Sequence, residues 1–277
     1  MNHENINKKK DDVLNYFGNG FMDDFHDYPY KDCLWRYQHR CRMEVLDDFL
    51  SKFSEDEMIG LDAGSGKGPS SMIMSKYINL TYSIENEMEN VERQISNFTK
   101  LNPISLEKIL IEVGDITKIK HPDNSFDIII CSEVLEHIEN YEAASKELYR
   151  VLKPGGTMLF SMPNKISAFW QYDRFIYHLR KFVRKIKGKP SDWGGYPYWE
   201  QARHWEFSSK NIRDIVLNAD FRIVEERGLC NIIFNEWVLN KIRSFNLFNF
   251  FHSFDIYLGK KLPRFSSIYY LVLSKDI

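Results

Sequence analysis

The sequence lacks any apolar run of about 18 residues, the length that a membrane-spanning helix requires. Its opening stretch, MNHENINKKKDD, also lacks the apolar region of a signal peptide, so we expect a cytosolic protein. The cysteines are widely spaced and none pairs in a C-x-x-C motif, which favours reduced, mostly buried thiols at Cys33, Cys41, Cys131 and Cys230.

The sequence also has no excess of basic over acidic residues. The 37 lysines and arginines are matched by 39 acidic residues, which gives a net charge of −2 and an isoelectric point near 6.5. This balance disfavours nucleic-acid binding through an all-basic surface. The length of 277 residues suffices for one well-packed core with insertions or for two small domains.

Glycine, though sparse, is concentrated in the segment IGLDAGSGKGPSS at residues 59–71. An apolar run ends in Asp62, and Gly64, Gly66 and Gly68 follow at alternate positions before a helix-like stretch. A strand that leads through a glycine turn into a helix N-terminus is typical of nucleotide-like ligand sites. A dinucleotide dehydrogenase requires G-x-G-x-x-G/A, and the G-x-G-x-G spacing here, with proline after the last glycine, disfavours that class.

Further strand candidates follow at regular distances. Residues 80–84 end in Glu85, residues 108–113 precede Gly114 and Asp115, and residues 126–131 follow a turn. After a helical segment, EAASKELYRVL, the turn KPGG leads into a fifth candidate, TMLFSMP. Strands that alternate with helices predict right-handed βαβ units and a parallel sheet.

These motifs, in this order over about residues 42–163, resemble the class I S-adenosylmethionine (SAM)-dependent methyltransferases, in particular the ubiquinone-pathway O-methyltransferase-like, methyltransferase type 11 branch. The segment RHWEFSSKNIRDIVLNADFRIVEERG is similar to the final helix and sixth strand of that family, and SIYYLVLSK to its last strand. The resemblance implies an α/β, Rossmann-like, seven-stranded, mostly parallel sheet with helices on both faces, an antiparallel last strand and a helical insertion after strand five. It divides the chain into an N-terminal cap and leading helix (1–58) and a SAM-binding methyltransferase domain (59–277) with an insertion or lid at 164–203.

The same resemblance implies where SAM binds. Glu85, roughly 20 residues beyond the glycines, is placed to accept hydrogen bonds from the ribose hydroxyls. Asp115 corresponds to the aspartate that lies beside the adenine in the family. The full set of predicted cofactor contacts is Asp62, Gly64, Ser65, Gly66, Glu85, Asp115, Ile116 and Ser132.

Candidate catalytic residues follow the fourth strand, in SEVLEHIE. Glu133, Glu136 and His137 have i, i+3, i+4 spacing and would share one face of a helix, while His204 comes later in RHWEFS. The pattern is similar to two branches, ubiquinone-pathway O-methyltransferases and small-RNA 2′-O-methyltransferases, in which E-x-x-E-H and a later histidine hold a divalent cation. It implies Mg²⁺ or Mn²⁺ on these four residues. Many class I methyltransferases carry a Leu-Glu-His run without metal, and in that case His137 or His204 would act as general base, with Glu133 as a further catalytic candidate.

The insertion contains a helical apolar stripe at positions 169, 172, 176, 179, 183 and 186, widened by Phe175 and Phe182. Its other face carries Arg174, Arg180, Lys181, Arg184, Lys185 and Lys187. One interpretation is peripheral membrane contact through residues 168–187. The other is a helix folded over the active site with a solvated basic face. The loop KPSDWGGYPYW that follows suits a lid.

The sequence therefore predicts a cytoplasmic SAM-dependent methyltransferase, one that O-methylates a small or amphiphilic acceptor such as a lipid-linked, phenolic or glycan hydroxyl. Two alternatives stay open at this point. One is a metal-dependent RNA ribose 2′-O-methyltransferase, which the near-neutral isoelectric point and the lack of a separate RNA-binding domain disfavour. The other is a SAM-binding protein without transfer activity.

Overall fold

The computed structural model describes residues 33–53, 57–101, 107–188, 206–231 and 247–277. The strands in these ranges are β1 (Ile59–Ala63), β2 (Leu80–Glu85), β3 (Ile109–Val113), β4 (Phe126–Ser132), β5 (Leu152–Pro163), β6 (Arg222–Leu229) and β7 (Ile268–Ser274). They form one sheet in the order β3-β2-β1-β4-β5-β7-β6. β1 to β5 are parallel, and β7 runs antiparallel between β5 and β6. The predicted fold class is confirmed.

The helices are α1 (Cys33–Leu50), α2 (Pro69–Tyr77), α3 (Met88–Leu101), α4 (Tyr141–Val151), α5 (Ala168–Ile186), α6 (Ser209–Leu217) and α7 (Phe248–Lys261). Two short 3-10 turns, Leu135–His137 and Pro263–Phe265, complete the described elements. Within these ranges no helix is both long and apolar enough to cross a membrane.

Apolar side chains fill a core on each face of the sheet. Central parallel strands are covered on both faces, which explains why β4 is almost continuously apolar. Alternate residues of β4 point to opposite cores: Ile128 and Ile130 pack with α1 and α2, whereas Ile129 and Cys131 pack with α4 and α6. The sheet thus lies between two helical layers, as a three-layer α/β domain requires.

The start of α2 depends on backbone freedom. Gly68, immediately before the helix, has a φ of 86°, a left-handed conformation that glycine adopts without steric cost. Pro69 follows at the first helical position, where its missing N–H breaks no hydrogen bond. The predicted strand–turn–helix over residues 59–71 is confirmed.

The segment KPGG lies inside β5, which begins at Leu152, but it interrupts the pairing with β4. Leu152 pairs with Phe126, the pairing resumes only at Thr157, and Gly155 between them has a φ of 75°. The predicted turn is therefore present as an irregularity within the strand rather than as a separate element.

Another local prediction is wrong. Glu133, Glu136 and His137 do not share a helical face. Glu133 has a φ of 55°, and only the 3-10 turn Leu135–His137 follows it, so the i, i+4 geometry of an α-helix is absent.

Candidate active site

The carboxyl ends of β3, β2, β1 and β4 lie side by side, because these strands are parallel neighbours. They bring together Asp115 after β3, Glu85 at the end of β2, the glycine loop after β1 and Glu133 after β4. The loops also bond to one another: the Gly64 N–H donates to the Ile84 carbonyl at 2.9 Å. Open parallel sheets bind ligands at this edge.

The glycine loop has one open position. Gly64, Gly66 and Gly68 all have positive φ, at 72°, 54° and 86°. A Cβ on Gly64 would lie 2.4 Å from the side chain of Val134, and one on Gly68 would lie 2.4 Å from that of Gln94. A Cβ on Gly66 would meet no atom within 4 Å. Side chains of the protein therefore pack against the loop at Gly64 and Gly68, whereas the backbone at Gly66 is accessible to a ligand.

Glu85 is oriented by the same loop. Its Oε2 accepts from the Gly66 N–H at 2.8 Å, and its Oε1 accepts from the Glu87 N–H at 3.0 Å and from Asn90 Nδ2 at 3.4 Å. An ionised carboxylate offers about four lone-pair positions, so capacity remains for a further hydroxyl donor. This arrangement fits the predicted ribose contact, which stays a prediction.

Asp62 lies behind the loop rather than in the cleft. Its side chain is 2% exposed, and its Oδ2 contacts the Ser71 hydroxyl at 2.6 Å. From there hydrogen bonds continue through Ser83 and Gln94 to Ser65 and to the Gly66 carbonyl. Asp62 and Ser65 are therefore parts of the scaffold that holds the glycine loop.

The remaining predicted cofactor residues lie at the same edge. Asp115 is exposed, and its Oδ1 accepts from the Thr117 N–H at 2.8 Å, which shapes the turn after β3. Ile116 is buried in the core, and the Ser132 hydroxyl contacts that of Ser161 at 2.8 Å.

Glu133 has a strained backbone and a charged partner. A positive φ costs a non-glycine residue about 1–2 kcal/mol, and such strain is concentrated at functional sites. Its Oε2 lies 2.6 Å from the Arg42 guanidinium, while Oε1 is buried without a hydrogen-bond partner among the described residues. Burial raises the pKa of Glu133, and the positive charge of Arg42 opposes that rise.

Glu136 and His137 occupy different environments. Glu136 is 2% exposed, and its Oε2 has no hydrogen-bond partner within the described ranges. Burial, followed by the charge of Glu133, raises the pKa of Glu136 well above its usual value. The side chain of His137 is 47% exposed, and its Nε2 lies 4.0 Å from Glu136 Oε1. Partial burial lowers the pKa of His137. His204 lies outside the described residues.

The sequence did not reveal the contribution of α1 and β7. Arg42 and His39 are one helical turn apart on α1, and the Arg42 charge adds to burial in lowering the pKa of His39 to about 3. Tyr270 of β7 is buried opposite Ser161, and both burial and the Glu133 carboxylate raise the pKa of its phenol. The i, i+3 spacing of His39 and Arg42 indicates that they share one face of α1. Nothing in the local sequence indicates what that face contacts.

The described donors do not form a metal site by themselves. In the ranges that the structure covers, no three His, Cys, Asp or Glu side chains form a group that could hold a metal ion. The Arg42 guanidinium pairs with one oxygen of Glu133, and Glu136 is buried while His137 is half exposed. The residues present therefore do not fit a divalent cation, and the predicted centre would depend on His204.

A family model described as "Methyltransferase domain" matches residues 61–160, which span the glycine loop, Glu85, Asp115 and β4. The chain contains the domain of a class I SAM-dependent methyltransferase. The match begins inside β1 and ends inside β5, so α1, α5, α6 and α7 lie outside the matched residues.

Similar sequences also carry methyltransferase names. The ubiquinone/menaquinone biosynthesis C-methyltransferase UbiE of Neisseria meningitidis is 29% identical over 121 residues, which cover 43% of this chain and 49% of the relative. A demethylmenaquinone methyltransferase of Oceanobacillus iheyensis is 26% identical over 178 residues, which cover 61% of this chain and 71% of that one. The methyltransferase match thus spans about half the length of the UbiE relatives.

Solved structures share the methyltransferase fold. A SAM-dependent methyltransferase from Aquifex aeolicus matches with a TM-score of 0.50 and 16% identity, over 84% of this chain and 96% of that one. The [4+2]-cyclase SpnF matches with a TM-score of 0.55 and 15% identity, over 84% of this chain and 81% of that one. Because one neighbour is named a cyclase, the fold alone does not define the reaction.

Proposed function

We propose that this protein transfers the methyl group of SAM to a small or amphiphilic acceptor, at a hydroxyl that the carboxyl pair Glu133–Glu136 activates. The observation that carries the proposal is this pair, in which Glu136 is buried and Glu133 is partly buried with its Oε1 out of contact with solvent. The two residues follow β4 on either side of Val134, the residue next to the glycine loop at Gly64. When bound, SAM would supply a methyl group on a sulfonium sulfur, which leaves as the neutral thioether of S-adenosylhomocysteine, so no covalent enzyme intermediate is required.

The chain supplies the binding surface for SAM from three strand ends. The open backbone at Gly66, the oriented carboxylate of Glu85 and the exposed carboxylate of Asp115 support this assignment. The loops that contain Gly66 and Asp115 are each hydrogen-bonded to the end of β2, through Gly64 to Ile84 and through Gly114 to Glu85, so the surface is preorganised and little ordering free energy is lost on binding.

A hydroxyl loses its proton when it accepts a methyl group, and the carboxyl pair is suited to receive that proton. A general base works best when its pKa lies near the operating pH, and the raised pKa of Glu136 moves it in that direction. Arg42 holds the neighbouring Glu133, whose second oxygen can accept from the same hydroxyl. Because the two carboxyls interact, the proton belongs to the pair rather than to either residue.

A second candidate is methylation at a ring carbon, which the names of the UbiE relatives favour. Removal of a phenolic proton makes the adjacent ring carbons nucleophilic, so the same carboxyl pair would serve this reaction. Both candidates share an acidic hydroxyl on the acceptor. They differ in which acceptor atom lies in line with the methyl group.

The test begins with calorimetric titration of SAM and of S-adenosylhomocysteine into the full chain. Hydroxylated aromatic acceptors are then supplied with methyl-13C SAM, and the carbon chemical shift of the product separates an O-methyl from a C-methyl group. Glu133→Gln and Glu136→Gln are expected to lower turnover at least about 100-fold while SAM affinity changes little. A protein that does not bind SAM, or variants with full turnover, would refute the proposal.

His137→Ala and His204→Ala complete the series. His137 lies beside the pair and His204 outside the described residues, and each remains a predicted catalytic residue. A loss of turnover in His204→Ala that Mg²⁺ or Mn²⁺ relieves would favour the metal centre. Loss in the glutamine variants alone would favour the carboxyl pair.

A further inference from the structure

Helix α5 exposes a continuous apolar stripe. Six side chains between 39% and 70% exposed form it: Tyr172, Phe175, Leu179, Phe182, Val183 and Ile186. At the rotation of an α-helix they fall within an arc of about 100°. A helix that packs on its own domain buries such a stripe. Here the predicted helix is confirmed, but the expectation that its apolar face covers the active site finds no support in these exposures.

The opposite side of α5 is basic. The helix contains five arginines and lysines and one aspartate, a net charge of +4, in a chain whose net charge is −2. Arg174 pairs with Glu206, and Lys181 lies 5.8 Å from the ring centroid of Tyr177. Positive charge is therefore concentrated on the same helix that exposes the apolar stripe.

We propose that α5 lies in the interface of an anionic lipid bilayer, with the stripe in the acyl boundary and the basic side chains among the headgroups. A strong apolar face combined with lysines and arginines on the polar face is the pattern of an interfacial helix. Long basic side chains reach the headgroup level while their aliphatic stems remain in apolar surroundings. The charge identifies the lipid as anionic, because each basic residue near such a surface adds to the attraction.

The position of α5 connects this surface with the active site. β5 ends at Pro163, at the same sheet edge as Ser132 and Glu133, and α5 begins five residues later. A protein held by α5 would therefore present the carboxyl edge of its sheet close to the bilayer. If the proposed function holds, the acceptor is amphiphilic and is reached from the membrane.

Helix α7 provides a second apolar face near the start of α5. Phe250, Phe254 and Tyr257 are 67%, 44% and 54% exposed and have i, i+4, i+7 spacing, which places them on one side. Asn164, just before α5, donates through Nδ2 to the carbonyls of Arg264 and Ser266, beyond the end of α7. Asn164 thus connects the start of α5 with the segment after α7, so the apolar faces of the two helices belong to one region of the surface.

The experiment measures co-sedimentation of the full chain with two kinds of vesicles, phosphatidylcholine alone and phosphatidylcholine mixed with phosphatidylglycerol. Binding to the anionic vesicles that weakens with added salt is the expected result. Phe175→Ala/Phe182→Ala should weaken the partition about tenfold or more, because two phenyl rings no longer enter the bilayer. Leu217→Ala/Val224→Ala, at exposed sites elsewhere, is the matched control and should bind as the unmodified protein does.

A second pair of variants tests the charge. Lys185→Glu/Lys187→Glu should abolish the preference for anionic vesicles, whereas Lys146→Glu/Lys210→Glu changes the same charge on exposed residues of α4 and α6 and should preserve it. Each variant is first titrated with SAM, so that a folding defect is recognised. Vesicle binding needs neither SAM nor acceptor, so the two proposals can fail separately. A protein that does not bind vesicles can still be a methyltransferase, and a protein that does not bind SAM can still bind the bilayer through α5.

Three results would overturn the proposal. The first is equal partition onto zwitterionic and anionic vesicles. The second is unchanged partition of Phe175→Ala/Phe182→Ala. The third is a concentration-dependent dimer in sedimentation velocity that the same double variant abolishes, without vesicle binding, because the stripe would then bind a second copy of the chain.

Discussion

The Asp62 carboxyl lies 2.6 Å from the Ser71 hydroxyl, and this contact begins a relay of hydrogen bonds that supports the glycine loop. Gln94 Nε2 lies 3.0 Å from the Gly66 carbonyl, an obligate acceptor, so the amide orientation is determined and Oε1 must accept from Ser83. Three oxygen–oxygen contacts then each need one hydrogen: Asp62–Ser71, Ser71–Ser83 and Ser83–Gln94. The hydroxyl groups of Ser71 and Ser83 supply only two. We therefore predict that Asp62 holds a proton, which would supply the third.

The first prediction concerns this proton. Burial raises the pKa of Asp62 to about 7, with a contribution from the charge of Glu85. Because the folded protein holds the proton more tightly than the unfolded chain, this stabilisation is fully present below about pH 4 and is lost as the pH rises through about 7. Asp62→Asn keeps a donor toward Ser71 and cannot ionise. In urea unfolding the difference in stability between wild type and variant should change by up to roughly 4 kcal/mol over that window. A difference independent of pH would contradict the relay.

The second prediction separates the roles of two glycines. Gly66→Ala places a Cβ in open space at a positive φ, so it should cost about 1–2 kcal/mol of stability and weaken SAM binding. Gly68→Ala drives its Cβ against Gln94 and Phe98, at 2.4 Å and 2.5 Å, and should cost more stability. Calorimetry with SAM and thermal unfolding measure both effects. Equal SAM affinity in Gly66→Ala and wild type would show that the open position does not face the cofactor.

The third prediction concerns the link between α1 and the site. Arg42→Gln leaves the partly buried Glu133 without its cation, which should destabilise the fold by about 2 kcal/mol and raise the pKa of Glu133 further. The acidic limb of the pH–rate profile should move to higher pH. Arg42→Gln/Glu133→Gln, with both charges removed, should recover stability but not turnover. Recovery of both would assign the pair a purely structural role.

The fourth prediction concerns a partly buried cluster of α1 and α7. His252 Nε2 lies 2.7 Å from Glu44, and its Nδ1 lies 3.8 Å from the Cys41 sulfur. These contacts raise the pKa of His252 to about 10 from an ordinary value of 6.5. The stabilisation is therefore complete below about pH 6.5 and is lost as the pH rises through about 10. His252→Gln should flatten the fall in stability over that window, as followed by chemical unfolding. An unchanged pH dependence would refute the ion pair.

Local sequence signals predicted the elements of the site better than its contacts. The glycine spacing and Pro69 predicted the loop after β1 correctly, because backbone sterics at those positions involve only neighbouring residues. The same reasoning failed at Glu133. Its i, i+4 spacing with His137 suggested a helix, but the backbone there is determined by the bond from the Glu133 N–H to the Ser161 carbonyl of β5, a residue distant in sequence.

By itself, the sequence determined the strand order along the chain, the glycine loop, the acids that end β2 and follow β3, and the amphipathic character of α5. These features depend on periodicity and on the conformational limits of single residues. Only the tertiary structure decided that Arg42 meets Glu133, that His252 meets Glu44 and Cys41, and that the stripe of α5 is exposed. Contacts of this kind depend on how separate elements pack on the sheet, and no local pattern encodes that packing.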